Sequence, residues 1–215
     1  MMWIGLLAPL ALGAVPTSVR PVLAPDDAQA QHDAWEESHG HTPQPLACEE
    51  VWNKQARVCF TVVDDHTRRW VTEADLASWG VVLDAVVAAV IERARAPLSD
   101  RPRPTRIDDM QGTYWVSAEG DGWDAALLLK PEWIAARLGG APVLVAAPAE
   151  GTVLAWRPGD AKLDKVMAVG AKRMYDSQPG SVTPMVYQWD GEHWKAFGQA
   201  VPSEPEPAPS PPAPK

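Results

Sequence analysis

Residues 123–156, WDAALLLKPEWIAARLGGAPVLVAAPAEGTVLAW, constrain this chain more than any other stretch. They hold two dense apolar runs, 125–129 and 143–147, and a third short one at 152–156. Continuous apolar runs of about 4–8 residues bounded by Gly and Pro predict strands buried on both faces. Between the first two runs lies a compact amphipathic turn, 131–138, closed by Gly139-Gly140. The rest of the chain has to be arranged around this segment, because it is the part least able to face water.

The chain divides by composition. Residues 1–15, MMWIGLLAPLALGAV, have the length and apolarity of a signal-peptide core and are too short to span a bilayer of about 30 Å as a helix. Leu12-Gly13-Ala14 offers a cleavage site and Val22-Leu23-Ala24 a second; no Cys follows to carry a lipid. Residues 16–45 are polar, acidic and Pro-rich and read as a disordered linker. Residues 46–199 form the folded domain, and 200–215, AVPSEPEPAPSPPAPK, read as a disordered Pro-rich tail. The expected location is the periplasm or the exterior, with the cytoplasm as alternative if the first residues pack into the core instead.

Cys48 and Cys59 are the only cysteines. They flank residues 52–55, and 58–63 is a strong strand signal. A two-residue turn at Asn53-Lys54 places Cys48 opposite Cys59, within disulfide range. An even cysteine count in an exported chain favours the bridge; two buried thiols are the alternative.

Thr72-Glu73-Ala74-Asp75 has a capping-box pattern and opens a short helix that Gly80 ends. A second helix over 82–95 carries Leu83, Val86, Val87, Val90, Ile91 and Ala94 on one stripe. Residues 113–118 read as a strand that turns at 119–122 and pairs with 123–129. A third helix, capped at Asp160, covers 161–175 with Leu163, Val166, Met167, Gly170 and Met174 inward, and a closing hairpin turns at Asp190-Gly191. The expected fold is α+β: a single domain with a mixed or antiparallel sheet of about five to seven strands and three main helices.

The chemistry is sparse. The net charge is −9, and the one basic cluster, Arg101, Arg103 and Arg106, reads as a solvated linker; nucleic-acid binding is not expected. Glu119, Asp121 and Asp124 read as a solvated turn and lack the ligand series of a calcium loop. His32, Asp33, His39 and His41 lie in the linker, where nothing orients them for a metal, so no metal or cofactor is expected. No Gly-x-Ser-x-Gly elbow and no Gly-rich phosphate loop occurs; His66 and His193, both beside turns, are the remaining candidate bases. No catalytic residue is assigned. Eleven tryptophans stand against three tyrosines and two phenylalanines. They read first as core, and second as an aromatic platform for sugars or peptides.

The order of certain motifs resembles the YtpQ-like family, bacterial proteins of unknown function. The resemblance runs over about residues 72–197. It is carried by Ala77-Ser78-Trp79-Gly80-Val81 between two helices, the Asp-led run at 124–129, the Val-rich segment 142–148 ending in Pro, the run at 153–156, and a closing hairpin with Pro184 and Tyr187. The chain departs from the family after Pro148, where Ala149-Glu150-Gly151 stand in place of a basic-acidic pair. The resemblance implies an α+β domain and no activity. The expectation for function is a non-catalytic exported binding or accessory protein of the cell envelope, with an unknown protein or small-molecule partner and no stable transmembrane anchor. The alternative is a hydrolase with a carboxylate- or His-based site.

Overall fold

The computed structural model describes residues 13–25, 27–52, 56–64, 67–106, 112–178 and 180–199. The expected signal-peptide core up to residue 12, the expected turn at Asn53-Lys54, His66 and the tail from residue 200 lie outside the described residues. The described chain is an α+β fold of six helices and two antiparallel sheets, of four and six strands. The single sheet expected from the sequence is therefore two, and three of the six helices answer to the three expected.

The first sheet is built on β3 (Ala56–Asp64), the residues with the densest β-branched pattern. β1 (Val19–Ala24) runs along one edge of β3, from Val19 opposite Val62 to Ala24 opposite Arg57. β2 (Cys48–Val51) and β4 (Thr67–Trp70) divide the other edge between them. Strand alternation sends Val58, Phe60 and Val62 into the main core and Cys59 to the opposite face. That opposite face is covered by α1 (Ala28–Ser38). The disordered linker expected at 16–45 is corrected here: it supplies a strand and a helix. Its apolar residues are few but well placed. Val19 and Leu23 are fully buried, and Ala28 packs with Val22, Ala24 and Cys59. α1 buries only Ala28 and His32, too little apolar surface to mark a helix by spacing alone.

The second sheet runs in the order β10-β9-β7-β8-β6-β5. β7 (Val143–Ala149) and β8 (Thr152–Trp156) are buried at every residue, as their continuous apolar runs predict. The two-residue turn between them, Glu150-Gly151, needs a left-handed residue, and Gly151 supplies it with φ 72°. One face of β7 (Val143, Val145, Ala147) joins the main core, and the other (Leu144, Ala146) packs on α6 (Ala161–Ser177). Asp160 caps α6 by accepting from the amides of Lys162 and Leu163 at 2.9 and 3.1 Å. Its inner face is Leu163, Met167 and Ala171, whereas the expected Val166 is 39% exposed. β9 (Met185–Trp189) and β10 (Trp194–Gln199) form the expected hairpin.

The run at 125–129 is not a strand. It forms α4 (Ala126–Leu129), followed at once by α5 (Pro131–Arg137). Ala-Ala-Leu-Leu-Leu has no β-branched residue and high helix propensity, and a run of five cannot be assigned by periodicity. The strand expected to pair with it, β6 (Thr113–Ser117), instead lies between β8 and β5 (Arg103–Arg106). The basic segment expected as a linker is thus an edge strand, where Pro104 costs no ladder bond.

The main core fills the space between the two sheets with α2 (Glu73–Trp79), α3 (Leu83–Ala94), α4 and α5. Trp52, at the end of β2, stacks on Tyr187 of β9 with centroids 4.5 Å apart and meets Trp194 edge-on at 5.6 Å. These contacts fasten one sheet to the other. Among the described residues no single helix is long and apolar enough to cross a membrane.

Candidate functional site

Two clefts flank β4. The larger, about 560 Å³, lies between α1 and the segment from β4 to the start of α2. Helical spacing puts Gln31 and Trp35 on one line of α1, and His32 and Glu36 on the next, all four lining the groove. Trp35 is 53% exposed. Its ring is held by a stack on His39, centroids 4.3 Å apart at 29°, and the Ser38 hydroxyl donates to its carbonyl at 2.7 Å. The indole thus lies at the surface, fixed in orientation, and outside the core. His32 is only 6% exposed. Its Nδ1 lies 4.0 Å from Glu36 Oε1, and its buried Nε2 has no partner. Glu36 Oε2 meets His41 Nδ1 at 2.9 Å.

The far wall carries Trp70, Arg69 and Asp75. Arg69 Nη1 donates to Asp75 Oδ2 at 2.9 Å and to the Trp70 carbonyl at 3.2 Å. Burial pushes the Asp75 carboxyl up, but the Arg69 guanidinium and the Thr72 amide and hydroxyl outweigh it and hold the group below the usual carboxylate range. Asp75 also closes the capping box of α2, so that wall is rigid. Beneath the groove the Cys48–Cys59 disulfide joins β2 to β3, with Cα atoms 3.9 Å apart, and packs with Ala28 and Trp70.

The smaller cleft, about 400 Å³, lies between β1 and β3 on one side and the turns at 120–122 and 150–151 on the other. Arg20 sits over the Trp123 ring at 4.5 Å, and Arg68 pairs with Glu150 across the cleft. At its base Arg101 donates to Asp121 from Nη1 and Nη2, at 3.0 and 2.8 Å, and to Asp124 at 3.4 Å. Ser117 donates a short hydrogen bond to Asp124 Oδ1. The two aspartates are driven apart. Arg101 holds Asp121 below the usual carboxylate range, whereas burial pushes Asp124 above it against the pull of Ser117 and Arg101. Asp124 is fully buried and its Oδ2 has no partner.

The residues singled out in the sequence are redistributed accordingly. Cys48 and Cys59 are joined as expected. The solvated turn of Glu119, Asp121 and Asp124 is corrected: Arg101 binds the two aspartates, and Arg103 Nη1 meets Glu119 Oε1 at 3.0 Å. Arg101 itself, read as linker, is only 9% exposed because β5 and β6 carry it against these acids. His32, His39 and His41 are brought together around Trp35 and Glu36, yet among the described residues no group of three or more His, Cys, Asp or Glu has metal-binding geometry. His193 lies exposed beside the closing hairpin turn. Sequence reasoning missed Gln31, Trp35, Trp70 and Asp75 as one site. The signal was present in the i, i+4 pairs 31/35 and 32/36, but only within a segment read as disordered. No protein-family model, curated protein or solved structure matches the chain.

Proposed function

We propose that the protein is a non-catalytic binding or accessory protein of the cell envelope, exported to the periplasm or beyond, and that it binds through the groove between α1 and β4. The observation that carries this reading is Trp35, half exposed and stacked in place on the rim of a 560 Å³ groove that also holds the unpartnered His32 Nε2. Export is supported by the Cys48–Cys59 bridge, since such bonds persist in oxidising compartments. Of the two cleavage sites, Ala14 is favoured. Cleavage after Ala24 removes β1, whose Val19 and Leu23 are fully buried, while Arg93 grips the carbonyls of Val15 and Pro16 at 2.7 and 2.6 Å.

Intact mass of the protein from its native host tests export: loss of residues 1–14 and a mass two hydrogens short before reduction are expected. A full-length, reduced chain returns the protein to the cytoplasm. A photo-crosslinking residue at Gln31 tests the groove. It should yield an envelope adduct that the same residue at Val166, exposed on α6, does not.

A hydrolase is the second reading, favoured by Asp121 and Asp124, whose carboxyls are pushed to opposite sides of their usual range in one cleft. It ranks second because Asp124 is fully buried and its Oδ1 is already bonded to Ser117 and Arg101. Hydrolysis of an ester or glycoside that Asp124→Asn abolishes in a folded protein reverses the ranking. Membership of the YtpQ-like family is likewise proposed, supported by the helix junction at Trp79-Gly80, β7, β8, α6 and the closing hairpin in the family's order. The Asp-led run counts against it, being helical here.

A further inference from the structure

We infer that the groove between α1 and β4 takes a neutral oligosaccharide; this rests on the groove being the binding site. The inference follows from three properties of the lining. The first is aromatic. Trp35 and Trp70 both face the groove, and the Trp35 ring is held by His39. Sugar rings present flat C–H faces that stack on indole, the aromatic side chain with the largest flat face.

The second property is the kind of polar group the groove leaves unsatisfied. His32 Nε2 is buried without a partner, and the amide of Gln31 beside it in the lining is solvent-exposed. A buried polar atom without a partner is costly, and a ligand that supplies one recovers that cost. An amide offers a donor and an acceptor side by side, and an imidazole nitrogen serves as either. Vicinal hydroxyls, each both donor and acceptor, match that pair.

The third property is charge. Every arginine in the groove already has its acid: Arg69 is bonded to Asp75, and Arg68 is paired with Glu150. Glu36 is bracketed by His32 and His41. An anionic ligand has to break one of these pairs, and a cationic one has to displace a guanidinium or a histidine. A neutral, hydroxyl-rich ligand breaks none. A peptide is the rival occupant, since Pro-rich segments also dock on aromatic side chains, and the Pro-rich peptide in the test separates the two.

The test uses the full chain and a panel of neutral tetrasaccharides, comprising gluco-, manno-, galacto- and N-acetylglucosamine oligomers, with a sulfated tetrasaccharide and a Pro-rich peptide as comparisons. Binding is measured by titration calorimetry and by the indole N–H resonances, assigned through Trp35→Phe and Trp70→Phe. The expected result is saturable binding of at least one neutral sugar that moves the Trp35 and Trp70 resonances. Trp35→Ala should weaken it about tenfold without shifting the unfolding midpoint. Gln31→Ala should weaken the same sugar and leave the fold intact. Tighter binding of the sulfated sugar, or movement of Trp35 by the peptide alone, overturns the ligand class and leaves the groove as the site. Sugar binding that Trp35→Ala does not weaken overturns the groove itself. No movement of Trp35 by any probe at millimolar concentration overturns both.

Discussion

Arg101 neutralises two aspartates at once, and the smaller cleft is built on that arrangement. Arg101→Met leaves the buried Asp124 without its cation, held by Ser117 and the Gly120 backbone. The expected cost is about 2–4 kcal/mol of unfolding free energy, toward the lower end because Asp121 is partly exposed. Urea denaturation checks it, and an unchanged midpoint sinks the account. Asp124 carries a pH signature of its own. Its folded pKa lies above the ordinary aspartate value of 3.8, so between 3.8 and that higher value the folded state binds more protons than the unfolded chain. Its contribution to stability therefore falls as pH rises through that window. Asp121 and Asp75 work in the opposite sense, contributing stability above the unfolded pKa that is lost as pH falls through their lower folded values. Asp124→Asn removes the first effect alone. The variant should gain on the wild type as pH is raised from about 3.8, and a pH-independent difference in denaturation midpoint argues against the assignment.

α1 is the element that decides whether there is a groove, and the disulfide is what it rests on. It has no side-chain cap at Asp27 and buries only Ala28 and His32. A helix of 11 residues with so little packing is marginal by itself. Gln29 compensates by bonding the Leu46 amide at 2.9 Å and the Gln44 carbonyl at 3.2 Å. Replacing Cys48 and Cys59 by Ala should cost about 2–3 kcal/mol, from an 11-residue separation. It should also raise hydrogen exchange over residues 28–38 more than over α6. Equal exchange in both helices shows that α1 does not depend on the bridge. α6 has its own anchor: Asp160→Ala should destabilise the protein by about 1 kcal/mol, read as a lower thermal midpoint, with no change in the groove.

One core spans both sheets, so the molecule should unfold as a unit. Val58 and Phe60 of the first sheet and Val143 and Val145 of the second belong to a single cluster, and Trp52 and Tyr187 close it from the two sides. Circular dichroism and tryptophan fluorescence should report coincident transitions. Trp52 is the sharpest probe, being 1% exposed and the one described non-Gly residue at positive φ, 57°. Trp52→Ala should cost about 3–5 kcal/mol while keeping the transition single. Two separated transitions show instead that the sheets are independent units.

What could be read from residues alone was whatever a short segment decides for itself. The Thr72 capping box with Gly80, the α3 stripe at Val86 and Val90, the Asp160 cap, the β9–β10 hairpin and the Cys48–Cys59 pairing follow from local spacing and from one turn. Burial of 143–147 and 152–156 followed from their composition. Three things required the folded chain. Residues 125–129 are apolar enough for strand or helix, and packing on α3 and β3 within the core selects the helix. Residues 19–38 carry too little apolar surface to fold alone, and the edge and face of β3 give it a use. Arg101 and Asp124 are 23 positions apart, and Trp35 and Trp70 are farther apart still. Their meeting depends on strand pairing beyond any one segment, β5 with β6 and β3 with both β1 and β4, which no local pattern encodes.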